Sequence, residues 1–196
     1  MLRMEDLSGS ALIARLDDLA RLRIEVFRAW PYLYEGDVEY ERGYLRRYAE
    51  AKTGYIAVAY DGDRAVGAAT ALALEEEADF VRAPFIEAGM DIAPIYYFGE
   101  SVLLPGYRGQ GVGVDFFRRR EAAARRNGKT ICCFCGVQRP ADHPARPADY
   151  VPLDDFWRKR GYHQRPDLRA GFSWKDIGDD TATEKPMIYW MRELPA

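Results

Sequence analysis

Apolar positions along the chain alternate between helical and strand-like periods. From Leu12 to Phe27 they recur at Leu12, Leu16, Leu19, Leu22, Ile24, Val26 and Phe27, close to a helical period, and Pro31 follows; this predicts a helix. Val38 to Ala51 repeats the pattern with Tyr40, Tyr44, Leu45 and Tyr48, predicting a second helix that ends near Gly54. Tyr55 to Tyr60 and Ala65 to Leu74 are β-rich runs joined by Asp61-Gly62-Asp63, whose Asp-Gly pair suits positive φ, so an antiparallel hairpin is expected. Glu75 to Pro94 is polar and broken by Pro84, Gly89 and Pro94, with room for a short helix around Ala83 to Ala88. Ile95 to Leu104 reads as a strand ended by Pro105-Gly106. Val112 to Arg126 reads as a helix with Phe116, Phe117, Ala123 and Ala124 on one side, closed by Asn127-Gly128. Thr130 to Gln138 is a further strand, Leu153 to Arg160 a short helix ended by Gly161, and Met187 to Arg192 a terminal strand. Between them, Arg139 to Pro152 holds four prolines and reads as a long loop. A hairpin followed by strand, helix and strand predicts a mixed α/β (α+β) sheet with helices on both faces.

Composition narrows the setting. A chain of 196 residues with 48% hydrophobic and 30% charged residues suits a single globular domain over 1–196. A net charge of −3 argues against nucleic acid as a partner. No apolar run approaches the roughly 18 residues that span a bilayer, so no membrane partner is expected. Glu5 and Asp6 stand where a signal peptide would be basic and then apolar, which favours the cytoplasm. Cys132, Cys133 and Cys135 sit at strand spacing and fit a reducing compartment. Adjacent strand residues point to opposite faces, so these thiols are read as core fillers and no metal is expected.

The stretch with chemistry in it is Val102-Leu103-Leu104-Pro105-Gly106-Tyr107-Arg108-Gly109-Gln110-Gly111-Val112-Gly113. Glycines at the start of a helix leave backbone N–H groups uncovered, and with the positive helix end they make a phosphate cradle. A P-loop is excluded because no Lys-Ser or Lys-Thr pair follows the last glycine. The dinucleotide fingerprint is excluded because Gly109 and Gly111 would require glycine where Val114 stands. The pattern Arg/Gln-x-x-Gly-x-Gly/Ala is filled by Arg108, Gly111 and Gly113.

In that context the chain resembles the Gcn5-related N-acetyltransferase (GNAT) superfamily from Tyr55 to Tyr162. The runs Tyr97-Phe98-Gly99-Glu100-Ser101-Val102-Leu103-Leu104-Pro105 and Phe156-Trp157-Arg158-Lys159-Arg160-Gly161-Tyr162 look like a bacterial subgroup of it. The resemblance implies a mostly antiparallel sheet with a V-shaped splay between two strands, and acetyl-CoA as acyl-CoA co-substrate. Carried over, Arg108, Gly109, Gln110, Gly111, Val112 and Gly113 would hold the pyrophosphate, and the backbone of Val102, Leu103 and Leu104 the pantetheine arm. A homodimer is a further family expectation.

Acetyl transfer from a thioester to an amine needs a neutral amine, a stabilised oxyanion and a departing thiolate. Glu100 is the single carboxylate in Ile95 to Leu104, and partial burial would strengthen it as a base; the alternative is a solvent-facing or arginine-paired side chain. A backbone N–H near Val102 or Leu103 would take the oxyanion. The family's tyrosine acid is replaced by Trp157, which donates a hydrogen bond but delivers no proton and is expected to pack against cofactor or core; a frequent asparagine is replaced by Tyr150. Tyr150 is a second donor candidate, and His143 a second base candidate with a surface role as its alternative. Both lie in the loop Gln138 to Pro152, read as an acceptor-recognition lid. Arg118, Arg119, Arg120, Arg125 and Arg126 read as a solvated helix face, and Glu75, Glu76 and Glu77 as a weak attraction for a cationic amine. The expected activity is direct transfer of acetyl from acetyl-CoA to a primary amine on a small molecule or peptide, in a ternary complex. A non-catalytic acyl-CoA-binding sensor is the alternative.

Overall fold

The computed structural model describes residues 2–195. In chain order its elements are β1 (Arg3–Leu7), α1 (Gly9–Ile13), α2 (Leu16–Phe27), α3 (Val38–Glu50), β2 (Tyr55–Asp61), β3 (Arg64–Ala73), α4 (Asp79–Glu87), β4 (Ile95–Tyr97), β5 (Ser101–Leu103), α5 (Val112–Arg126), β6 (Ile131–Val137), α6 (Asp154–Arg158), β7 (His163–Trp174) and β8 (Thr183–Glu193). The strands form one sheet in the order β1-β2-β3-β4-β6-β8-β7, with β5 also paired to β3. The mixed α/β class is as expected, and the expected hairpin is β2–β3, turning at Gly62 with φ +57°.

Three departures have physical causes. The first predicted helix is two, α1 and α2, separated at Ala14 and Arg15. Strands β1 and β7 were not anticipated. They are the outer strands of the sheet, each paired on one side and holding a single buried residue, Leu7 in β1 and Leu168 in β7, and such edges need no apolar alternation.

The run Ile95 to Leu104 is two short strands, and this third departure builds the site. Strand β4 pairs with β6, the parallel pair of the sheet, at Ile95↔Ile131, Tyr96↔Cys132 and Tyr97↔Cys133, and the pairing ends where the Phe98 N–H donates to the Cys133 carbonyl at 2.8 Å. Beyond Gly99 and Glu100 the chain continues as β5 against β3 alone, while β6 runs on against β8. The two strands therefore part, leaving the expected V-shaped gap between β5 and the Phe134 to Val137 end of β6. Helix α5 covers one face of the split through Phe116 near Gly67 and Phe117 against Phe98 and Phe134. Helices α2 and α3 cover the other.

Candidate active site

The glycine turn leads into α5. Gly109 and Gly111 have φ +76° and +82°, a conformation L side chains rarely adopt, and a Cβ at either would face open space. Gly111 is the N-cap of α5, no side chain caps that end, and the first-turn N–H groups of Val112 and Gly113 lack intrahelical partners. Gly113 is a packing glycine instead, since its Cβ would lie 3.3 Å from the Phe156 ring. Arg108 is exposed beside this end of the helix, and Gln110 Nε2 donates to the Gly106 carbonyl at 3.2 Å.

The register divides the backbone of β5. Leu104 N–H donates to Val66 O at 2.9 Å and Thr70 N–H to Glu100 O at 3.0 Å, so alternation along an antiparallel pair turns the groups of Val102 and Leu104 toward β3. Of the three residues expected to face a pantetheine arm, Leu103 remains on the gap edge. Ser101 joins it, a position the sequence did not single out. Side chains alternate as well: Leu103 meets Gly67 on the α5 side, whereas Glu100 points toward α2 and α3.

Glu100 is buried, with 6% of its side chain exposed. It forms the arginine pair named as its alternative: Oε1 lies 2.5 Å from Arg23, and Oε2 accepts from the Tyr44 hydroxyl at 2.7 Å. Arg23 also pairs with the fully buried Glu41 and lies 4.1 Å from the Tyr44 ring centroid. Burial opposes the charge of Arg23, but Glu100, Tyr44 and Glu41 outweigh it and hold its pKa well above the ordinary value. Tyr44 and Tyr48 hydroxyls are 2.9 Å apart, and Tyr48 donates at 3.0 Å to Glu77, which pairs with Arg47.

His143 and Tyr150 gather elsewhere, on Trp30, with ring centroids 5.0 and 5.9 Å from it. His143 Nδ1 accepts from Ala145 N–H at 3.2 Å, and burial raises the Tyr150 phenol. Among the described residues no hydrogen bond or ion pair joins either to Glu100. Tyr32 lies between the two groups; burial and then the neighbouring Cys135, Glu100 and Tyr150 raise its phenol. Their loop is tethered at its root, where Arg139 donates to Pro31 O and Tyr32 O, both at 2.9 Å, and to both oxygens of Asp176 at 2.7 and 2.9 Å. Clefts of about 380 Å³ beside Gly54 and Arg126, and 240 Å³ beside Leu22 and Arg64, lie away from the gap.

A profile of the acetyltransferase (GNAT) family matches residues 9–148. The chain belongs to this family. Three solved structures share the fold: ribosomal-protein-alanine N-acetyltransferase from Brucella melitensis (13% identity, 99% of each chain, TM-score 0.61), a GNAT-family acetyltransferase from Streptococcus pneumoniae (10%, 99% of this chain and 100% of that one, 0.60), and PaiA N-acetyltransferase from Thermoplasma acidophilum in complex with coenzyme A (12%, 98% and 99%, 0.55). No curated protein sequence matches the chain. Membership makes it an acyl-CoA-dependent acetyltransferase, and among the described residues no helix is long and apolar enough to cross a membrane.

Past the matched residues, Trp157 packs against Phe134 and Trp190 at 5.0 and 5.1 Å and lies over Gly136, whose Cβ would be 3.1 Å from its ring. Cys132 packs with the face carrying Phe134 and Tyr162. Cys133 and Cys135 point to the opposite face, where Cys135 lies 3.3 Å from the Tyr97 hydroxyl. Burial pushes the thiols of Cys132 and Cys135 up to about 12, as suits core thiols rather than nucleophiles.

Two expectations about charge are corrected. Arg120 is not solvated but 2% exposed, donating to Phe116 O, Glu100 O, Thr70 O and, at 2.8 Å, Ser101 Oγ. Its guanidinium lies 4.2 Å from the Phe98 ring, and burial lowers its pKa to about 10. The spacing contained the signal, for Arg120 falls four residues after Phe116 and three after Phe117. Glu75, Glu76 and Glu77 are not an open acidic patch: Glu75 pairs with Lys129, Glu76 accepts from the N–H groups of Lys52 and Thr53, and Glu77 is buried.

Proposed function

We propose that the chain transfers acetyl from acetyl-CoA to a primary amine by direct attack in a ternary complex, with Glu100 as the base. The observation that carries this reading is a buried carboxylate at the bend where β4 and β5 part, beside the open edge of Ser101 and Leu103. Acetyl-CoA would supply the activated thioester, and the residues present fit it. The open turn at Arg108 to Gly113 suits a pyrophosphate, and the N–H and C=O groups of Ser101 and Leu103 suit pantetheine amides. One of the two N–H groups would take the developing oxyanion and the other the pantetheine arm. Trp157 packs on Gly136 beside the gap, and Tyr150 and His143, gathered on Trp30, would meet the acceptor rather than Glu100. The acceptor is a small-molecule or peptide amine.

Calorimetric titration with acetyl-CoA tests the cradle. Saturable binding is expected, lost in Gly111→Asp because the position combines positive φ with a site for negative phosphate; equal binding by the variant would refute it. The specific observation favouring a non-catalytic acyl-CoA sensor is the Arg23 pairing of Glu100. Glu100→Gln decides between them: a base reading requires turnover to fall by about a hundredfold or more with acetyl-CoA affinity unchanged, whereas a sensor has no turnover to lose.

A further inference from the structure

Of the cations buried in the core, Arg23 pairs with Glu41 and Glu100, and Lys185 with Asp176. Arg120, 2% exposed, makes no ion pair among the described residues. Its guanidinium lies 4.2 Å from the Phe98 ring centroid and 5.1 Å from that of Phe117, and it donates only to neutral oxygens. The Glu100 carboxylate is turned to the opposite face, onto Arg23 and Tyr44. A cation taken out of water without a counter-ion is costly to keep. The place of this one, directly behind the open edge of β5, gives the charge a use.

Arg120 Nη1 donates to the Glu100 carbonyl at 3.2 Å, and the Thr70 N–H donates to the same oxygen at 3.0 Å. That carbonyl and the Ser101 N–H belong to one planar trans peptide and point in opposite directions. With the oxygen directed at β3 and α5, the N–H is directed into the gap. Electron density drawn toward the oxygen leaves the nitrogen more positive and its N–H a stronger donor; chained hydrogen bonds polarise one another in this way, and more so in a low-dielectric interior. Arg120 Nη2 also donates to Ser101 Oγ at 2.8 Å, so the residue is held at two points and its N–H has a fixed direction. The other free N–H of the edge differs. Leu103 shares its peptide with the Val102 carbonyl, which is turned toward β3 and, among the described residues, accepts from no side chain.

We propose that Arg120 is a positioning residue for acetyl transfer, polarising the Glu100–Ser101 peptide from behind so that the Ser101 N–H takes the negative charge developing on the thioester oxygen, while the Leu103 N–H is left to the pantetheine arm. The proposal rests on acetyl-CoA occupying the gap and is independent of which group acts as the base. The amine nitrogen bonds to the thioester carbon as the carbonyl π pair moves onto oxygen. Collapse re-forms C=O and breaks the C–S bond, giving amide and thiolate, and the proton shed by nitrogen makes the thiolate a thiol. The negative charge on oxygen exists only between these two events. Arg120 is in place before them and stays positive at neutral pH, because burial lowers its pKa only to about 10. It therefore stabilises that charge without reorganisation.

The test compares wild type, Arg120→Met and Arg120→Lys, each shown folded by thermal unfolding. The readouts are the infrared carbonyl stretch of bound acetyl-CoA isotope-labelled at the acetyl carbonyl, calorimetric affinities for CoA and acetyl-CoA, and kcat for thiol release with a panel of primary amines. In wild type the stretch should lie below that of free acetyl-CoA. In Arg120→Met it should return toward the free value with kcat down about tenfold, short of the roughly hundredfold or more that loss of a whole oxyanion donor costs. Arg120→Lys, which keeps the charge, should restore part of both. Loosening of β5 alone weakens CoA and acetyl-CoA alike and leaves the stretch where it was, so a loss confined to affinity overturns the proposal. So does a kcat loss with an unmoved stretch, or equal behaviour of the two variants. If neither variant folds, wild type with isotope-labelled amide nitrogens decides: the Ser101 amide proton should move downfield with acetyl-CoA relative to CoA while that of Leu103 responds alike to both, and the reverse pattern overturns the assignment. No binding of acetyl-CoA, or binding without thiol release from any amine, removes the acetyl-transfer reading and the proposal with it. Normal binding and turnover with a free-ligand stretch in wild type leaves acetyl transfer standing and removes the role of Arg120.

Discussion

Two buried guanidiniums flank the bend between β4 and β5 from opposite faces. Arg23 comes from α2 and meets two carboxylates, Glu41 and Glu100; Arg120 comes from α5 and meets carbonyls, the Ser101 hydroxyl and the Phe98 ring. Burial opposes the charge of both. The carboxylates reverse that effect at Arg23, while neutral oxygens leave Arg120 lowered to about 10, still a cation at neutral pH. The α2 face of the bend is therefore an ionic network in which each charge depends on another. The α5 face carries one uncompensated positive charge, held by geometry.

The strongest way to break this comparison is Arg23→Leu. It leaves Glu41 and Glu100 buried without a counter-charge and should cost about 3–5 kcal/mol in urea unfolding. Adding Glu41→Gln should recover part of the loss, and purely additive effects would refute coupling through the ion pair. Arg120→Met should cost less, about 1–3 kcal/mol, because it strands neutral acceptors rather than charges. It should also weaken acetyl-CoA binding in calorimetry by loosening β5; a penalty equal to that of Arg23→Leu would erase the distinction between the faces.

The smallest effect is alkaline. The folded-state pKa of Arg120 is depressed, so above about 10 the folded chain holds fewer protons at this group than the unfolded chain, and this group adds stability as pH rises. Tyr44, Tyr48 and Tyr97 are raised, so their contribution is complete below the unfolded value of about 10 and is lost as pH climbs beyond it. The sum is a decline, read from urea midpoints at two alkaline pH values, and it should be slightly steeper in Arg120→Met.

Much of this was legible in the chain, in uneven fashion. The glycine turn and the start of α5 at Val112 follow from local spacing, because positive-φ glycines and a helix start are local events. The β2–β3 hairpin does too. The split of Ile95 to Leu104 does not, since it is set by two different neighbours, β6 for the first half and β3 for the second. Glu100 stood out as the carboxylate in an apolar run, but its partner Arg23 is distant in sequence. The buried charges do share a local mark: Arg23 falls four after Leu19, Arg120 four after Phe116 and Glu41 four before Leu45. A charge on an apolar stripe reads as solvated if residue type is trusted and as buried if the period is.

The parallel pairing of β4 with β6 also has a consequence for the order of assembly. The hairpin closes over a short turn, whereas β4 and β6 can meet only after the whole of α5 has been laid between them, a long-range and intrinsically slower step. The gap does not exist until that step is complete. A ligand seated in it binds the finished molecule and none of its precursors, so cofactor supply would set how long the seam stays shut. Hydrogen exchange at the Phe134 to Val137 end of β6 is where that dependence would be seen.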